Sequence, residues 1–261
     1  MEEKNKTALI TGATSGMGYE LAKLFSKDGY TLILVSRSLE NLGKISDEMM
    51  GYGAAGVITI EKDLMEMGAG EELYNEIKEK GIEVNVLVND AGVGQHGKFI
   101  ENDLQRYSDI IHLNVISLVA LTHCFLKDMV ARGEGKVLQL ASIASYQPTP
   151  LLTVYAATKA FVLSFTDGLI DELKDTGVTM TALIPGPTDT DFFRKADMLD
   201  TKAVEKLDDA AVVAKIGYDA LMKGENHATA PGLTTQILMS SMMPNSAIAA
   251  QAHKKMEPKE K

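Results

Sequence analysis

The sequence predicts a doubly wound α/β fold, with about seven parallel strands and helices on both faces of the sheet. Short runs rich in Val, Ile and Leu alternate with longer amphipathic stretches, as expected for strands buried on both faces of a parallel sheet. Because the connections are short, the crossovers are expected to be right-handed, with ligands at the C-terminal ends of the strands. Glycines stand where predicted helices end, a position that favours left-handed backbone: Gly29, Gly81, Gly133 and Gly177.

Each predicted strand is an apolar run, and each predicted helix is an amphipathic stretch between two runs. Strands are predicted at residues 7–11, 31–35, 56–60, 84–88, 135–141, 178–184 and 226–230. Helices are predicted at residues 16–28, 39–50, 68–80, 102–132, 152–175 and 209–223. No repeat, linker or low-complexity block interrupts the pattern, so one domain is predicted over residues 1–250. Residues 251–261 are predicted to form a disordered tail, because they carry charge and little apolar surface.

The length and the net charge of the chain limit the classes of function that it can have. The chain has 261 residues, 45% of them apolar, which is enough for one large buried core. Its formal charge of −10 argues against nucleic acid or an anionic membrane surface as a partner. No stretch is expected to reach the roughly 20 apolar residues of a membrane span. The charged N-terminus has no apolar targeting region, so the cytoplasm is the predicted location.

The sequence gives little support for thiol or metal chemistry. Cys124 is the one cysteine, which excludes an intrachain disulfide and a thiolate metal cluster. Its apolar helical surroundings favour a small core residue over a nucleophile. The five histidines show no metal-ligand spacing, so no metal site is predicted.

A glycine-rich turn follows the first predicted strand. Gly12 permits a tight turn, Gly16 lets backbone N–H groups approach a pyrophosphate, and Gly18 allows the next helix to pack closely on the strand. The turn lacks the Gly-Lys-Ser/Thr of a nucleotide-triphosphate loop. An ordinary loop with three glycines is the alternative, but its position in the fold favours a dinucleotide site.

The end of the second predicted strand indicates which dinucleotide binds. An acid at this point accepts a hydrogen bond from the 2′-hydroxyl of NAD, whereas an arginine accommodates the 2′-phosphate of NADP. Here the strand runs into Ser36-Arg37-Ser38, with no Asp or Glu. NADP(H) is therefore the predicted cofactor, although Arg37 as a solvated loop charge is the alternative.

Tyr155 and Lys159 stand four residues apart in a predicted helix. This spacing places the phenol and the ammonium on one helix face, where the cation is expected to favour the phenolate. The pair alone is weak evidence, because such a spacing occurs by chance on many solvated helices. It gains weight from the predicted dinucleotide site elsewhere in the chain.

Taken together, these motifs resemble those of the short-chain dehydrogenase/reductase family, in its compact single-domain branch with the Rossmann fold. The resemblance covers roughly residues 5–235 and is to the NADP(H)-preferring type. Its residues, in the order and approximate spacing of the family, are Thr11-Gly12-x3-Gly16-x-Gly18, Asn89-Asp-Ala-Gly92, Asn114, Ser142, Tyr155-x3-Lys159 and Pro185-Gly186.

The resemblance assigns roles to four catalytic residues. Tyr155 would be the general acid in reduction, or base in oxidation, as hydride moves between nicotinamide and the carbonyl carbon. Lys159 would lower the pKa of the phenol and bind the nicotinamide ribose. Ser142 would orient the carbonyl oxygen, with Ser145 as a less well spaced competitor. Asn114 would hold a water beside the lysine, although a mid-helix Asn can simply bond a backbone carbonyl.

The resemblance also extends the predicted cofactor site beyond the glycines. Asp63 and Leu64 are similar to the pair that bounds the adenine pocket, although Asp63 would also serve as a helix N-cap. Asp90 departs from the usual Asn-Asn-Ala-Gly and puts a local hydrogen bond in doubt. The full predicted cofactor set is Gly12, Thr14, Ser15, Gly16, Met17, Gly18, Ser36, Arg37, Asp63, Leu64, Asn89, Ala91, Gly92, Tyr155, Lys159, Pro185, Gly186, Thr188 and Thr190.

Two further expectations concern motion and assembly. Residues 187–208 lack a clear strand or long helix and are predicted to form a mobile lid over the nicotinamide, with a fixed surface helix as the alternative. Family members often pair through the Tyr155 helix and the long helix before it. A homodimer or homotetramer is therefore expected, although the same small residues can also pack internally.

The predicted function is NADP(H)-dependent interconversion of a carbonyl and a secondary alcohol in a small-molecule substrate. The alternative is a non-catalytic protein that binds NADP as a sensing or structural ligand, since a fold does not guarantee chemistry. A sugar-nucleotide epimerase or dehydratase would need a larger C-terminal domain than about 70 residues after Pro187 provide. The sequence does not identify the substrate.

Overall fold

A seven-stranded parallel sheet forms the centre of the computed structural model, which describes residues 6–259. Its strands lie in the order β3-β2-β1-β4-β5-β6-β7, and every neighbouring pair is parallel. The strands are β1 (Thr7–Thr11), β2 (Thr31–Ser36), β3 (Gly56–Glu61), β4 (Val86–Asn89), β5 (Gly135–Leu140), β6 (Val178–Ile184) and β7 (His227–Thr229). The predicted fold class is therefore confirmed, including the number of strands.

Ten α-helices connect and cover the strands of the described part of the chain. They are α1 (Gly16–Lys27), α2 (Leu39–Gly51), α3 (Ala69–Glu79), α4 (Leu104–Ile111), α5 (Leu118–Arg132), α6 (Thr153–Glu172), α7 (Phe192–Lys195), α8 (Ala210–Lys223), α9 (Leu233–Ser241) and α10 (Asn245–Met256). Short 3-10 helices occupy Phe99–Glu101, Ile143–Tyr146 and Lys202–Val204. The four glycines predicted at helix ends all have positive φ, between 68° and 76°.

Alternating residues of the central strands enter two large cores, one on each face of the sheet. In β1, Ile10 packs into a cluster with side chains of α1, α2 and α8. The adjacent Leu9 packs into a second cluster formed with α3, α5 and α6. Burial on both faces explains why the strands read as continuous apolar runs.

The order of the sheet reverses at β1, whose neighbours are β2 and β4. The chain after β1 and the chain after β4 therefore leave the sheet toward opposite faces, and a crevice opens between their C-terminal ends. Gly12 lies at the end of β1 and Ala91 just beyond β4, so both predicted cofactor segments reach this crevice.

The predicted helix over residues 102–132 is interrupted. A π-helical segment, His112–Ser117, joins α4 to α5 and contains Asn114. Such π segments insert an extra residue per turn and are often found at functional sites. Regular helix was expected here, because hydrophobic periodicity does not distinguish a π turn from an α turn within six residues.

The run from Leu104 to Arg132 is 29 residues long, with a mean hydropathy of 1.6 in its most apolar window. Among residues 6–259, it is the one helical run that meets the length and composition of a membrane span, which corrects the expectation that no stretch does. Half of that window is buried inside the protein. A buried core helix meets the same criteria, so the run is weak evidence for a membrane span.

The predicted disordered tail needs correction, because residues 251–256 form the end of α10. Ile248, Ala252 and Met256 stand four residues apart, and this spacing turns their side chains inward on one helix face. Beyond the helix, Lys259 N donates to the carbonyl of Asp200 at 2.7 Å. The charges of this segment predict disorder, but the regular spacing of its apolar residues gives it a helix with a buried face. Residues 260 and 261 of the predicted tail lie outside the described residues.

Candidate active site

A cleft of about 850 Å³ lies at the C-terminal ends of the strands, where the topology predicts a ligand. Eighteen of the predicted catalytic and cofactor residues line this cleft. They are Gly12, Thr14, Ser15, Gly16, Met17, Ser36, Arg37, Asp63, Leu64, Ala91, Gly92, Ser142, Tyr155, Lys159, Pro185, Gly186, Thr188 and Thr190. Three others, Gly18, Asn89 and Asn114, are not part of the lining.

The glycine turn after β1 leaves room for a ligand's phosphates. Gly12 and Gly16 have φ of 72° and 58°, which favours glycine, and both line the cleft. A Cβ on Gly16 would lie 3.0 Å from Thr190 Cγ2, on the opposite wall of the cleft. The turn leads into α1, whose first N–H groups can bind an anion. These residues therefore fit the pyrophosphate of a dinucleotide.

Gly18 supports the turn from behind. A Cβ at this position would lie 2.6 Å from the carbonyl oxygen of Gly12 and 2.6 Å from Oδ2 of Asp90. Real side chains do not approach so closely, so only glycine lets α1 pack against this turn. The predicted role of Gly18 in helix packing agrees with this geometry, whereas direct contact with a ligand does not.

The end of β2 carries polar groups at one end of the cleft. Thr14 Oγ1 lies 3.2 Å from Ser36 Oγ, which ties the glycine turn to the end of β2. Arg37 is exposed and lines the cleft. Lys62, which follows β3, is a second cation in the lining and was not among the predicted residues; its Nζ lies 3.1 Å from Glu72 Oε2.

Asp63 and Leu64 both line the cleft next to Lys62. Asp63 Oδ1 accepts a hydrogen bond from the backbone N–H of Met65 at 2.9 Å. The alternative interpretation of Asp63 as a helix N-cap does not hold, because α3 begins six residues later and Gly68 occupies its cap position.

Ser142 and Tyr155 are brought to one wall of the cleft by the turn after β5 and by the start of α6. Ser142 Oγ accepts a hydrogen bond from Ala144 N at 3.1 Å, which holds the serine at the beginning of the short 3-10 helix. The competing Ser145 does not line the cleft, and its hydroxyl donates to the carbonyl of Lys159 at 2.7 Å. Its position in the cleft therefore favours Ser142 over Ser145 as the serine that would orient a carbonyl oxygen.

Lys159 lies one turn below Tyr155 and is 6% exposed. Its Nζ donates to the carbonyl of Leu140 at 2.6 Å and lies 5.8 Å from the centre of the Tyr155 ring. Burial lowers the pKa of Lys159 to about 8, and the nearby Asp90 carboxylate opposes that change.

The protonation of Tyr155 differs from the sequence expectation. Burial raises the pKa of Tyr155 to about 12, the Ser142 hydroxyl lowers it and the Asp90 carboxylate raises it further. The expected lowering by Lys159 is not seen, and the ammonium of Lys159 donates to the carbonyl of Leu140. At neutral pH the phenol therefore carries its proton.

Asn114 lies behind the cleft wall and is 1% exposed. Its Oδ1 accepts from Val93 N at 3.0 Å, while its Nδ2 donates to Val93 O at 2.9 Å and to Thr158 Oγ1 at 3.0 Å. Both ends of the amide are thus used by the protein. In this geometry Asn114 fixes the segment after β4 and the start of α6 relative to one another, and its side chain does not reach the cleft.

Asn89 is also placed differently from the prediction. Its side chain is buried in the core, where Nδ2 donates to Thr122 Oγ1 at 3.0 Å and to Gln139 Oε1 at 3.1 Å. It therefore joins β4, β5 and α5 instead of contacting a ligand. The strand alternation explains the difference, because Asn89 points to one face of the sheet and the segment after Asp90 turns into the crevice.

Asp90 is an ionisable group of the site whose importance the sequence pattern did not reveal. Its carboxylate lies beneath Gly12 and Gly18 and lines the cleft. Burial raises the pKa of Asp90 to about 7, while the positive charge of Lys159 and the backbone N–H of Gly18 oppose that change. The sequence signal was the departure from the usual asparagine, which places a carboxylate under the phosphate turn.

Replacing Asp90 by asparagine is expected to change how stability depends on pH. A carboxyl whose folded pKa is raised stabilises the protein below its unfolded pKa near 4, and this contribution is lost as pH rises through about 7. The Asp90→Asn variant should therefore gain stability relative to wild type between pH 5 and 8. A tenfold difference in proton affinity between the folded and unfolded states corresponds to about 1.4 kcal/mol. Urea unfolding at several pH values measures the difference.

Asp128→Asn provides a control of opposite sign. Burial acts on Asp128 too, but hydrogen bonds from Lys78 at 2.6 Å and Tyr74 at 3.1 Å leave the pKa of this carboxyl lowered. Its replacement should destabilise the protein at neutral pH and less at acidic pH. If both variants lose stability with the same pH profile, Asp90 does not hold a proton in the folded protein.

The predicted lid segment, residues 187–208, forms one wall of the cleft. Phe192 packs on Tyr155 with ring centres 4.8 Å apart, while Phe193 and Met198 are buried in an apolar cluster with Leu152. The backbone N–H of His96 donates to the carbonyl of Ala196 at 2.9 Å. The segment contains α7 and a 3-10 turn, and its motion as a lid stays a prediction.

Within residues 6–259, no group of three or more His, Cys, Asp or Glu side chains is arranged to hold a metal ion. The cleft is lined by hydroxyl, ammonium, carboxylate and backbone groups and by apolar side chains. This donor set fits a dinucleotide and an oxygen-bearing organic substrate.

Comparison with known proteins places the chain among oxidoreductases. Residues 6–199 match the family described as short chain dehydrogenase. An uncharacterised oxidoreductase of Staphylococcus saprophyticus is 30% identical over 216 residues, covering 82% of this chain and 92% of the relative. The 17-beta-hydroxysteroid dehydrogenase type 3 of Rattus norvegicus is 32% identical over 216 residues, covering 81% of this chain and 68% of the relative.

A solved structure shares both the fold and most of the length. The bulky-bulky ketone specific alcohol dehydrogenase of Comamonas testosteroni superposes with a TM-score of 0.79 at 25% identity, covering 95% of this chain and 96% of that chain. The similarity extends beyond residues 6–199, the part of the chain that the family matches.

Proposed function

Because the chain belongs to the short-chain dehydrogenase/reductase family, we propose that it is an NADP(H)-dependent enzyme that interconverts a bulky ketone and a secondary alcohol. The observation that supports this proposal is that Ser142, Tyr155 and Lys159 line the same cleft as the glycine turn. An oxidoreductase of this family needs both a dinucleotide site and a proton donor.

Tyr155 is proposed to give a proton to the carbonyl oxygen during reduction. Its raised pKa keeps the phenol protonated at neutral pH, which is the form a general acid requires. The Ser142 hydroxyl beside it can donate a hydrogen bond to the same oxygen as negative charge develops there. Lys159, one turn away, lines the same cleft and would bind the nicotinamide ribose.

The cofactor supplies or accepts the hydride, and the residues present fit its parts. The glycine turn would hold the pyrophosphate, and Asp63 and Leu64 would border the adenine. The backbone and threonines of the segment after β6 would hold the nicotinamide amide. That segment includes Gly186, Thr188 and Thr190, all of which line the cleft.

Preference for NADP(H) is proposed from the cations at the adenosine side of the cleft. Arg37 and Lys62 both line it, and no acid follows β2 before Glu40. Arginine forms two parallel hydrogen bonds to a phosphate, so Arg37 is the better candidate for the 2′-phosphate. Lys62 forms an ion pair with Glu72 and would therefore contribute less to binding the 2′-phosphate.

Arg37→Ala is expected to weaken NADPH binding about 10- to 100-fold while leaving NADH binding within about twofold, because only NADPH carries the 2′-phosphate. Fluorescence titration of both cofactors measures the two dissociation constants. Lys44→Ala is a control, since Lys44 is an exposed cation on α2 paired with Glu40 at 2.7 Å. An unchanged ratio of NADPH to NADH affinity in Arg37→Ala would overturn the assignment.

A bulky substrate is proposed from the apolar wall beside Tyr155. The large apolar side chains that line the cleft are Leu152, Phe192, Phe193, Met198, Leu233 and Met256. Such a wall favours a substrate with an extended hydrocarbon body near its carbonyl. The steroid dehydrogenase and the bulky-ketone dehydrogenase among the similar proteins are named for substrates of this kind.

The proposed function is tested by following NADPH absorbance with a panel of small and bulky ketones. Turnover with bulky ketones supports the enzyme. NADPH binding without turnover on any ketone or aldehyde would favour the alternative, a protein that binds NADP as a sensing or structural ligand.

We also propose that two copies of the chain pair through α5 and α6. An apolar groove on these helices is lined by Val119, Leu126, Val130, Phe165 and Leu169. Ile116, in the π-helical segment before α5, is 51% exposed, and Phe161, on α6, is 41% exposed. A second copy would cover this surface. Light scattering at micromolar concentration tests the pairing, and a monomer would contradict it.

The cytoplasmic location of the protein stays a prediction.

A further inference from the structure

Lysine side chains gather around the outer part of the cleft, beyond the apolar wall. The lysines that line it here are Lys195, Lys202, Lys206, Lys254 and Lys255, against the acids Asp191, Glu205 and Asp208. The chain as a whole has more acids than bases, 36 against 26. At this rim of the cleft, by contrast, the five lysines outnumber the three acids.

The C-terminal helix places two of these lysines. Met256 packs in the apolar cluster that includes Tyr155 and Phe192. Its carbonyl oxygen lies 2.9 Å from Nε2 of His96, and the next carbonyl, of Glu257, accepts from Lys202 N at 3.0 Å. Lys254 and Lys255 directly precede Met256 on α10, so the same contacts hold them at the rim.

Much of this positive charge is not neutralised by neighbouring acids. Lys206, Lys254 and Lys255 are exposed, and their side chains form no ion pair or hydrogen bond with another residue in the described range 6–259. Lys195 forms an ion pair with Asp191 at 3.7 Å, and Lys202 forms one with Glu257 at 3.6 Å. Arg194 also contacts Asp191 at 3.1 Å, which reduces what that acid can offer Lys195.

The 2′-phosphate of NADPH does not explain this cluster. Arg37 and Lys62 follow β2 and β3, whereas Lys195, Lys202 and Lys206 follow β6 and α10 follows β7. The sheet order places β2 and β6 four strand spacings apart, or roughly 19 Å. The two groups of cations therefore serve different ends of the cleft.

We propose that the substrate carries an anionic group, a carboxylate or a phosphate, which lies against the lysine rim while its hydrocarbon body lies along the apolar wall. The inference rests on the proposed function, because it names the class of ketone that the same site reduces. The rim would bind the charged end away from the reacting carbon, and opposite charge would also speed the encounter.

The test compares matched substrates that differ only in charge. One pair is an oxosteroid whose side chain ends in a carboxylate, together with its methyl ester; the other is a hydroxylated oxosteroid together with its phosphate monoester. Wild-type kcat/KM should be about 5- to 20-fold higher for at least one anionic member than for its neutral partner, and the preference should fall with added salt. The two pairs distinguish carboxylate from phosphate.

The double variant Lys254→Ala/Lys255→Ala should lose about 3- to 10-fold in kcat/KM on the preferred anionic ketone, through KM, and less than about twofold on its neutral partner. Lys215→Ala is the control, because Lys215 is an exposed lysine on α8 paired with Asp219 outside the cleft. NADPH affinity, measured by fluorescence, should remain unchanged in both variants.

Three results would overturn the inference. They are equal turnover of charged and neutral partners, equal losses on both partners in the double variant, and a loss of NADPH affinity in place of substrate affinity. In each case, turnover of the neutral ketones leaves the proposed function intact. Absence of turnover with all four ketones would instead count against the proposed function itself.

Discussion

Tyr155→Phe is expected to lower kcat about 10²- to 10⁴-fold, the usual contribution of a positioned general acid. The substitution removes one oxygen and keeps the ring, so the contact with Phe192 at 4.8 Å between ring centres should survive. NADPH binding should stay within about twofold, because the glycine turn and Arg37 are untouched. Steady-state kinetics on a bulky ketone and a fluorescence titration with NADPH measure the two effects.

Tyr146→Phe is the matched control for this prediction. Tyr146 lies in the 3-10 helix that follows Ser142, is 37% exposed and does not line the cleft. Loss of the same atom there should leave kcat within about twofold. If Tyr155→Phe keeps a tenth or more of wild-type activity, Tyr155 is not the proton donor. If it loses NADPH binding as well, its role is structural.

Gly18→Ala is expected to reduce NADPH affinity at least about 10-fold and to destabilise the protein by about 1–3 kcal/mol. Two effects oppose each other at this position in α1. Alanine favours helix over glycine by about 1 kcal/mol. However, the added Cβ would lie 2.6 Å from the Gly12 carbonyl oxygen, which is backbone and cannot rotate away. The steric effect should win and displace the turn that would hold the pyrophosphate.

Gly43→Ala separates the two effects. Gly43 lies within α2, and a Cβ there would meet nothing within 4 Å. Alanine at this position should stabilise the protein by up to about 1 kcal/mol and leave NADPH affinity unchanged. Urea unfolding and cofactor titration apply to both variants.

A double variant identifies which contact resists the new methyl group. The Asp90 carboxylate also lies 2.6 Å from the Gly18 Cβ position, but a side chain can be removed. If Gly18→Ala/Asp90→Ala recovers wild-type NADPH affinity, the carboxylate is the obstacle. Persistent loss, which is the expected result, would show that the Gly12 carbonyl is the obstacle. Full NADPH affinity in the single variant would contradict the proposed phosphate site.

The element pattern could be predicted from the sequence because a doubly wound parallel sheet leaves a strong periodic signal. Strands such as β1 are buried on both faces, so their apolar runs stand out against amphipathic helices. The glycines at helix ends were equally clear, since left-handed backbone excludes most other residues. Shifts of one or two residues at strand ends, as in β4, reflect the ladder of hydrogen bonds, which a single segment does not contain.

The C-terminal segment shows where local sequence patterns mislead. Residues 251–261 look charged and therefore disordered, yet Ile248, Ala252 and Met256 give α10 a buried face. Met256 on that face packs in the apolar cluster of Phe193, which lies some 60 positions earlier in the sequence. Helices of this length are stabilised mainly by such tertiary packing.

Motif spacing by itself determined the fold class and the family, and it selected Ser142, Tyr155 and Lys159 as the candidate catalytic residues. These features depend on near neighbours in the sequence: a turn that needs glycine, a short apolar run that forms a strand buried on both faces, and a helix that sets two side chains four residues apart. They can therefore be recognised without coordinates.

Only the tertiary structure decided which of the selected residues share a cleft and in what state of charge. It moved Asn89 and Asn114 behind the wall, placed the Asp90 carboxylate beneath Gly18, and brought the α10 lysines to the rim. Burial and electrostatic interaction depend on distances between groups far apart in the chain. For that reason, the raised pKa values of Asp90 and Tyr155 follow from packing and not from any local sequence pattern.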